Sequence, residues 1–174
     1  MKGIKSDFVP FFFKIKDESL IKNNFIMSSS GQDFRWMKFK NGRLHLAIVN
    51  LHIEHNDIGN EIIENYPEAR FCNNSIEVGT NGFEDWKMAL KAGLNFAVSH
   101  SMDFWTITIN DLLGKPFIDT NPAIVGYTGI LAFMQQTNVV INSQIIQDIE
   151  GFVYSSWYDG NETKIPDFNE LVYK

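Results

Sequence analysis

The chain has 174 residues, of which 44% are hydrophobic and 14% aromatic. This composition excludes a disordered chain, and the length suits one domain that buries about 70% of its unfolded surface. The formal net charge is −6, but its distribution is uneven. Residues 1–44 contain nine basic and four acidic side chains, whereas residues 45–174 contain six and 17. The acidic part, with a net charge of −11, points to a positively charged partner rather than to a particular fold.

Three sequence features bear on the compartment. Cys72 is the only cysteine, which rules out an intrachain disulfide and favours a reducing environment. Asp7 and Pro10 interrupt the apolar N-terminal segment, so this segment lacks the pattern of a signal peptide. The mainly apolar run at residues 123–134 is too short to span a bilayer. We therefore expect a cytoplasmic protein with no membrane partner.

The N-terminal part of the chain predicts a strand, a short helix and a hairpin. Residues 8–15 are rich in Phe and predict an edge strand, and residues 17–24 predict one or two helical turns. Asn41-Gly42 is a preferred type I′ turn and predicts a hairpin between residues 34–40 and 43–53. The turn sets a register that pairs Lys40 with Arg43, Phe39 with Leu44, Met37 with Leu46, and Trp36 with Ala47. Both faces of this hairpin are largely apolar, which favours a sheet covered on both sides.

A short helix is predicted after the hairpin. Asn56 is a favourable N-cap for a helix over residues 57–66, and Pro67 would end that helix. Its isoleucines and Tyr66 would then point inward. Residues 75–78 predict a short strand further along the chain.

The next helix is predicted over residues 83–99. Asn81 and Glu84 have the spacing of a capping box at its start. An apolar stripe at helical spacing is formed by Phe83, Trp86, Leu90, Gly93, Leu94 and Ala97. Glycine weakens a helix by roughly 1 kcal/mol relative to alanine, so we expect a close backbone approach at Gly93.

The C-terminal half predicts a second hairpin and two more helices. Residues 104–110 alternate as in a strand, and the turn at residues 112–114 would lead into a partner strand at 115–118. A helix over residues 122–136 is predicted from Asn121 followed by Pro122 at its first position.

A last helix opens at Asn142 or Ser143, and residues 159–174 form a peripheral tail or a return strand. No repeat or linker divides the chain. The sequence therefore predicts a single α+β domain over residues 1–174, with a mainly antiparallel sheet, two hairpins and three to four helices packed against it.

An acidic stripe is the best candidate for a partner-binding surface. Asp57, Glu61 and Glu64 are spaced four and three residues apart, so the predicted helix would display them on one face. We place Tyr66 and Glu68 beside this stripe as further contact residues. A solvated helix face would have the same pattern. Aligned carboxylates are also what a basic partner would meet.

His52, Glu54 and His55 are the candidates for a metal site, because these side-chain types ligate metals. In a strand His52 and Glu54 project to one face and His55 to the other, and the HExxH pattern is absent. We therefore expect a polar strand end, with no metal and no cofactor.

His100 is the candidate for a hydrolase site, because Ser99, Ser101 and Asp103 surround it. The three groups of a catalytic triad must converge in space, which near neighbours in sequence rarely do. We therefore favour a polar loop over a hydrolase site for these residues.

A nucleic-acid surface is the remaining candidate. Arg35, Lys38, Lys40 and Arg43 lie on the predicted hairpin with Trp36. The aromatic side chains of the hairpin divide between two faces, however, and the whole chain is acidic, which disfavours nucleic-acid binding.

In size, acidity and cysteine content the whole chain resembles the small immunity proteins that bacteria make against their own toxins. The resemblance implies an intracellular inhibitor that blocks a basic toxin domain, commonly a nuclease, with acidic side chains where phosphate would lie. Two alternatives are a small cytosolic enzyme and an adaptor that presents exposed aromatic side chains to a partner. An enzyme should show convergent polar groups with shifted pKa values, and an inhibitor should show an acidic surface around aromatic anchors.

Overall fold

A computed structural model describes residues 31–72, 75–158 and 160–173. The strands are β1 (Gln32–Lys40), β2 (Arg43–Asn56), β3 (Glu61–Glu64), β4 (Arg70–Cys72), β5 (Ser75–Glu77) and β6 (Phe104–Gly114). The helices are α1 (Glu84–Val98), α2 (Pro122–Thr137), α3 (Ser143–Ser155) and α4 (Phe168–Val172). They form a single α+β domain, as predicted. The strand and the helical turns predicted at 8–15 and 17–24 lie outside the described residues.

β6 is the central strand of the sheet. The strand order is β1-β2-β6-β5-β4, and these neighbours pair antiparallel. β3 is the exception, because it pairs in parallel with the first half of β6. α2 packs on β1 and β2, and the other described helices join it in one helix layer. We call the face of the sheet away from this layer the open face.

The predicted β1–β2 hairpin is confirmed. Asn41 and Gly42 have φ angles of 53° and 74°, as a type I′ turn requires, and Trp36 pairs with Ala47. α2 and α3 cover the face of Trp36, which contacts Tyr127 edge-on at 5.2 Å between ring centroids. On the open face Phe39 stays 74% exposed. The open face is therefore exposed at the Phe39 end of the hairpin and buried further along at Leu46 and Asn50, whereas the sequence predicted two covered sides.

α1 and α2 form the helix layer and cross at two glycines. A Cβ placed on Gly93 would lie 2.0 Å from the backbone oxygen of Gly126, which confirms the predicted close approach. α2 begins as predicted. Pro122 is its first residue, and the side chain of the N-cap Asn121 accepts a hydrogen bond from the Ile124 N–H. The buried stripe of α1 is also confirmed, with Leu90 and Leu94 fully buried.

The capping box predicted for α1 is wrong. The N-cap is Phe83, which has a left-handed backbone (φ 54°) and no side-chain cap hydrogen bond. Glu84 instead accepts hydrogen bonds from the Gly82 N–H and from Lys87. Because Phe83 is the N-cap, the helix starts after Asn81. Asn81 and Glu84 therefore do not occupy the N-cap and N3 positions that a capping box requires.

The helix predicted over residues 57–66 is also wrong. Asn56 accepts a hydrogen bond from the Ile58 N–H in a local turn, and the chain then forms β3. Gly59 weakens a helix here, and the β-branched Ile62 packs on the core beside β6. Tertiary pairing therefore overrides the local helix signal, and Ile58 is 93% exposed.

The second hairpin is not where the sequence predicted it. β6 runs straight through residues 112–114, because Leu112 and Leu113 pair with β2. The segment at 115–118 forms turns that close on the Lys115 carbonyl oxygen, so it provides no partner strand. The second hairpin is formed by β4 and β5, and β5 confirms the strand predicted at 75–78.

The C-terminal segment docks on the helix layer through α4. Phe168 is 2% exposed and packs on Phe96 of α1. The alternative of a return strand for residues 159–174 is therefore wrong over the described part of this segment. The predicted last helix is confirmed as α3, with Asn142 as its N-cap.

Candidate functional site

The predicted acidic stripe is divided, because its residues lie in a turn and a strand. Asp57 is exposed in the turn after β2, where its Oδ1 lies 3.5 Å from His55 Nδ1. Glu61 and Glu64 are three residues apart in β3 and so project to opposite faces. Glu64 turns toward α1, and its Oε2 lies 3.2 Å from Lys91 Nζ. The three carboxylates therefore do not form one surface.

The other two predicted contact residues also separate. Tyr66 is half-buried, and its hydroxyl is buried with no hydrogen-bond partner among the described residues. Burial raises the pKa of Tyr66 above its usual value, and the Lys87 ammonium lies 5.2 Å from its ring centroid. Glu68 is exposed in the loop before β4. Asp57, Glu61 and Glu68 thus remain accessible to a partner, whereas Tyr66 packs against the body of the domain.

The candidate metal ligands diverge as the strand pattern predicted. His52 Nε2 lies 3.0 Å from Glu54 Oε1, on the open face. His55 lies on the other face, where its ring packs edge-on against Trp105. Within the described residues, no group of three or more His, Cys, Asp or Glu side chains could hold a metal ion.

The side chains around His100 do not form a triad. His100 Nδ1 lies 2.9 Å from the Phe96 carbonyl oxygen, and Nε2 lies 3.0 Å from the Tyr173 hydroxyl. The Ser101 hydroxyl accepts a hydrogen bond from Trp105 Nε1. Asp103 lies 3.8 Å from His55 instead. These residues close the α1–β6 loop and hold the C-terminal Tyr173 against α1.

The basic side chains of the hairpin do not line one groove. Arg35 and Lys38 project to opposite faces of β1. Arg43 lies over the ring of Trp157 and donates a hydrogen bond to the Ile118 carbonyl oxygen. This arrangement gives no continuous basic platform for nucleic acid.

A polar network crosses the open face at the centre of the sheet. Asn50 Nδ2 donates to Asp33 Oδ1 at 2.7 Å, and Asn110 Nδ2 donates to Asn50 Oδ1 at 3.0 Å. Asn65 Nδ2 donates to Asn110 Oδ1 at 3.1 Å. Asn50 and Asn110 are each 2% exposed. Three strands and the residue after β3 are therefore connected through buried side-chain hydrogen bonds.

Asp111 lies beside this network and has a shifted pKa. Burial, followed by the charge of Glu77 and a hydrogen bond with it, raises the pKa of Asp111 to about 7. Asp33 raises the pKa further, and Arg70 opposes the shift. A carboxyl group that titrates near neutrality next to a second carboxylate is what general acid–base catalysis requires, but structural carboxylate pairs show the same shift.

Replacing Asp111 by asparagine should therefore stabilise the protein at alkaline pH. The folded state keeps a proton on Asp111 up to about pH 7, whereas the unfolded chain loses it near pH 4, so stability falls as pH rises through this window. Above pH 7 we expect Asp111→Asn to gain about 1–2 kcal/mol, since solvent screening reduces the full effect. Thermal melts at pH 5 and pH 8 measure this gain.

The exposed Asp148, changed to asparagine, is the control for the Asp111 variant, and its effect should stay within about 0.5 kcal/mol at both pH values. An Asp111→Asn variant that is equally destabilised at pH 5 and pH 8 would contradict the assignment of the shifted pKa.

Sequence reasoning missed this network, although a signal was present. Asn110-Asp111 interrupts a strand whose other residues are apolar, threonine or glycine. Polar residues inside a buried strand need partners, so such a pair marks a site of side-chain hydrogen bonding.

An aromatic cavity lies at the end of the domain where β6 stops. Its volume is about 310 Å³, near the lower limit for a ligand pocket. Its walls are formed by Phe83, Glu84, Asp85, Trp86, Pro116, Phe117, Thr120, Asn121, Pro122, Trp157, Glu162 and Thr163. The starts of α1 and α2 and the segments after β6 and α3 bring these residues together. Sequence reasoning did not predict the cavity, because its residues are far apart in the chain.

Comparison with known proteins identifies no family. No protein-family model matches the chain, and no curated protein matches it. A crystallised protein from Thermus thermophilus is 11% identical with a TM-score of 0.44, over 74% of this chain and 20% of that one. Mevalonate kinase from Methanococcus jannaschii is 14% identical with a TM-score of 0.33, over 81% of this chain and 45% of that one. The chain thus spans less than half the length of either structure.

One further finding concerns membranes. Among the helices of the described residues, none is both long and apolar enough to cross a bilayer.

Proposed function

We propose that this protein is a stoichiometric inhibitor of a basic protein, of the kind that bacterial immunity proteins represent, and that it acts in the cytoplasm. The observation that supports this function is uncompensated negative charge. Lysine side chains form three ion pairs with carboxylates in the described residues. Exposed carboxylates with no cationic partner among the described residues include Glu61, Glu68, Asp85, Asp148, Glu162 and Glu170. Such a surface accelerates encounter with a basic partner.

An inhibitor also needs contacts that make its complex dissociate slowly. The end of the domain that carries the aromatic cavity, which we call the cavity end, offers such contacts. Phe117, Ile118 and Tyr158 are 89%, 57% and 52% exposed there. Aromatic side chains at the centre of an interface carry much of its binding energy, whereas charges at its rim act mainly on the association rate. Asp85 and Glu162 lie at the cavity. We therefore place the binding surface at this cavity end.

A small enzyme remains the second candidate function, because one observation favours it. Asp111, with its pKa raised to about 7, lies beside Glu77 and the buried asparagines of the open face. An enzyme would need this carboxyl to act, so Asp111→Asn would abolish its activity. An inhibitor that binds through the cavity end would keep its function in the same variant.

The test uses the protein encoded by the gene immediately upstream of this chain, which the proposal expects to contain a basic toxin domain. We expect a 1:1 complex by calorimetry, loss of the toxin's activity in that complex, and an association rate that falls as salt rises. The complex should survive Asp111→Asn. Absence of a complex at low salt, or a partner with an acidic binding face, would overturn the proposal.

Two matched double variants locate the surface. Asp85→Asn with Glu162→Gln removes two charges at the cavity end, and Asp57→Asn with Glu61→Gln removes two near the start of β6. The ends of this 11-residue strand are about 35 Å apart, well beyond the screening length of about 8 Å at physiological salt. We expect the first variant to slow association about three- to tenfold and the second less than twofold.

The result of this comparison also tests the sequence-based surface of Asp57, Glu61 and Glu68. A larger effect of the second variant would move the interface to that surface. Equal and negligible effects of both variants would remove the electrostatic argument.

A further inference from the structure

We infer that the aromatic cavity binds an arginine side chain presented by a protein. The inference rests on the proposed function for the source of this side chain, but its chemistry can be tested without the partner. Four aromatic residues supply the apolar walls, namely Phe83, Trp86, Phe117 and Trp157. Aromatic faces attract a guanidinium group through their quadrupole and also cover its aliphatic stem.

The charge around the cavity favours a cation. Glu84 is already paired, because its Oε1 lies 3.0 Å from Lys87 Nζ. Asp85 and Glu162 are exposed, and neither has a cationic partner among the described residues. A guanidinium group in the cavity would bring positive charge to these two carboxylates, and its planar shape suits two-point contact with a carboxylate.

Trp157, one wall of the cavity, already contacts a guanidinium group of this chain. The guanidinium carbon of Arg43 lies 4.2 Å from the ring centroid of Trp157. The ring nitrogen of Trp157 donates a hydrogen bond to His45 Nδ1, which holds the indole in place. One cation therefore already lies against this indole, and Asp85 and Glu162 would have to balance the charge of a second guanidinium group in the cavity.

Backbone strain provides an independent observation. Phe83 and Phe117 both have left-handed backbones, with φ of 54° and 65°, and both line this cavity. Bulky residues rarely adopt this conformation, which costs of order 1–3 kcal/mol at each position. Phe117 is 89% exposed, so burial in the free protein does not offset the cost. A ligand that covers the Phe117 ring would give this strained residue a function.

The helix starts at the cavity could instead favour an anion. Their free N–H groups and dipoles attract negative charge. At α2, however, the side chain of Asn121 already accepts a hydrogen bond from the Ile124 N–H. At α1, Glu84 and Asp85 occupy the first turn. Asn121 thus already binds one N–H at the start of α2, and the two carboxylates at the start of α1 repel an anion, so we favour a cation.

The test is a titration with Nα-acetyl-arginine amide, monitored by the NMR signals of the Trp86 and Trp157 indole N–H groups. The matched control ligand is Nα-acetyl-citrulline amide, which has nearly the same shape and no charge. We expect saturable arginine binding with a Kd in the millimolar range, and citrulline binding at least about fivefold weaker. Inorganic phosphate should leave both signals unchanged.

Variants distinguish binding from fold stability. Phe117→Gly relieves the left-handed strain, so its Tm should be equal to or higher than that of the unchanged protein, whereas arginine binding should weaken at least about fivefold. Asp85→Asn with Glu162→Gln should reduce the preference for arginine over citrulline to less than about twofold. Val140→Ala removes an equally exposed apolar side chain elsewhere and should change neither quantity.

Each outcome separates this inference from the proposed function. Equal binding of arginine and citrulline, binding of phosphate instead, or unchanged signals at about 50 mM arginine, well above the expected millimolar Kd, would overturn the arginine site. Complex formation with the toxin domain would then leave the proposed function intact. Arginine binding without any toxin complex would support the site and overturn the proposed function.

Discussion

Gly93→Ala should destabilise the fold by about 3 kcal/mol or more. The new Cβ would lie 2.0 Å from the backbone oxygen of Gly126, and a backbone atom cannot rotate away as a side chain can. α1 and α2 would have to move apart along a buried interface, and this movement would open gaps beside Leu90 and Leu94. Chemical denaturation measures the loss as a lower midpoint.

Gly151→Ala is the matched control for this prediction. Gly151 also lies inside a helix, α3, but nothing approaches the position of its Cβ within 4 Å. Alanine should therefore stabilise the protein there by about 0.5–1 kcal/mol through helix propensity alone. Similar effects of the two substitutions would show that the helices do not meet at Gly93.

Leu90→Ala should cost about 2–5 kcal/mol. Leu90 is fully buried in the centre of the helix layer, so alanine removes apolar contacts and leaves a cavity. Trp86 belongs to the same stripe and is 5% exposed, and its replacement by alanine should have a cost in the same range.

Met88→Ala on the same helix is the control for the Leu90 substitution. Met88 is 51% exposed, so its loss should change the free energy of unfolding by less than about 0.5 kcal/mol. If Leu90→Ala and Met88→Ala had equal effects, α1 would not present the stripe of Leu90 to the core.

The sequence predicted best those elements whose signal is local and backbone-specific. Asn41-Gly42 specified the register of the first hairpin, because few residue pairs tolerate positive φ at both central positions. Asn121 and Pro122 specified the start of α2 for a similar reason, since both act on backbone groups within one turn. Gly93 was interpretable because glycine is costly in a helix without a packing reason.

The sequence misled where tertiary pairing competes with a local preference. Residues 57–66 have a cap and helical spacing, but β6 offered a strand partner, and Glu61 and Glu64 then separated onto opposite faces. Leu112 and Leu113 resembled the edge of a turn, yet their pairing with β2 extends β6 past them. A local helix or turn preference contributes about 1 kcal/mol to the free energy of folding, which is less than the contribution from burying a strand in a sheet.

The sequence did not predict the candidate sites as well as it predicted these elements of the fold. Asp111 acquires its raised pKa from burial and from Glu77, Asp33 and Arg70, which come from three other parts of the chain. A pKa shift depends on distance in space, so spacing along the chain does not reveal it.

By itself, the sequence determined the class of fold, the first hairpin, the core stripe of α1 and the sign of the surface charge, because these follow from local backbone chemistry and composition. Only the tertiary structure decided that the predicted acidic stripe is divided, that burial raises the pKa of Asp111 to about 7, and that Phe83, Trp86, Phe117 and Trp157 line one cavity. These features depend on which distant segments meet, and that is set by the burial and pairing of the whole chain rather than by any one segment.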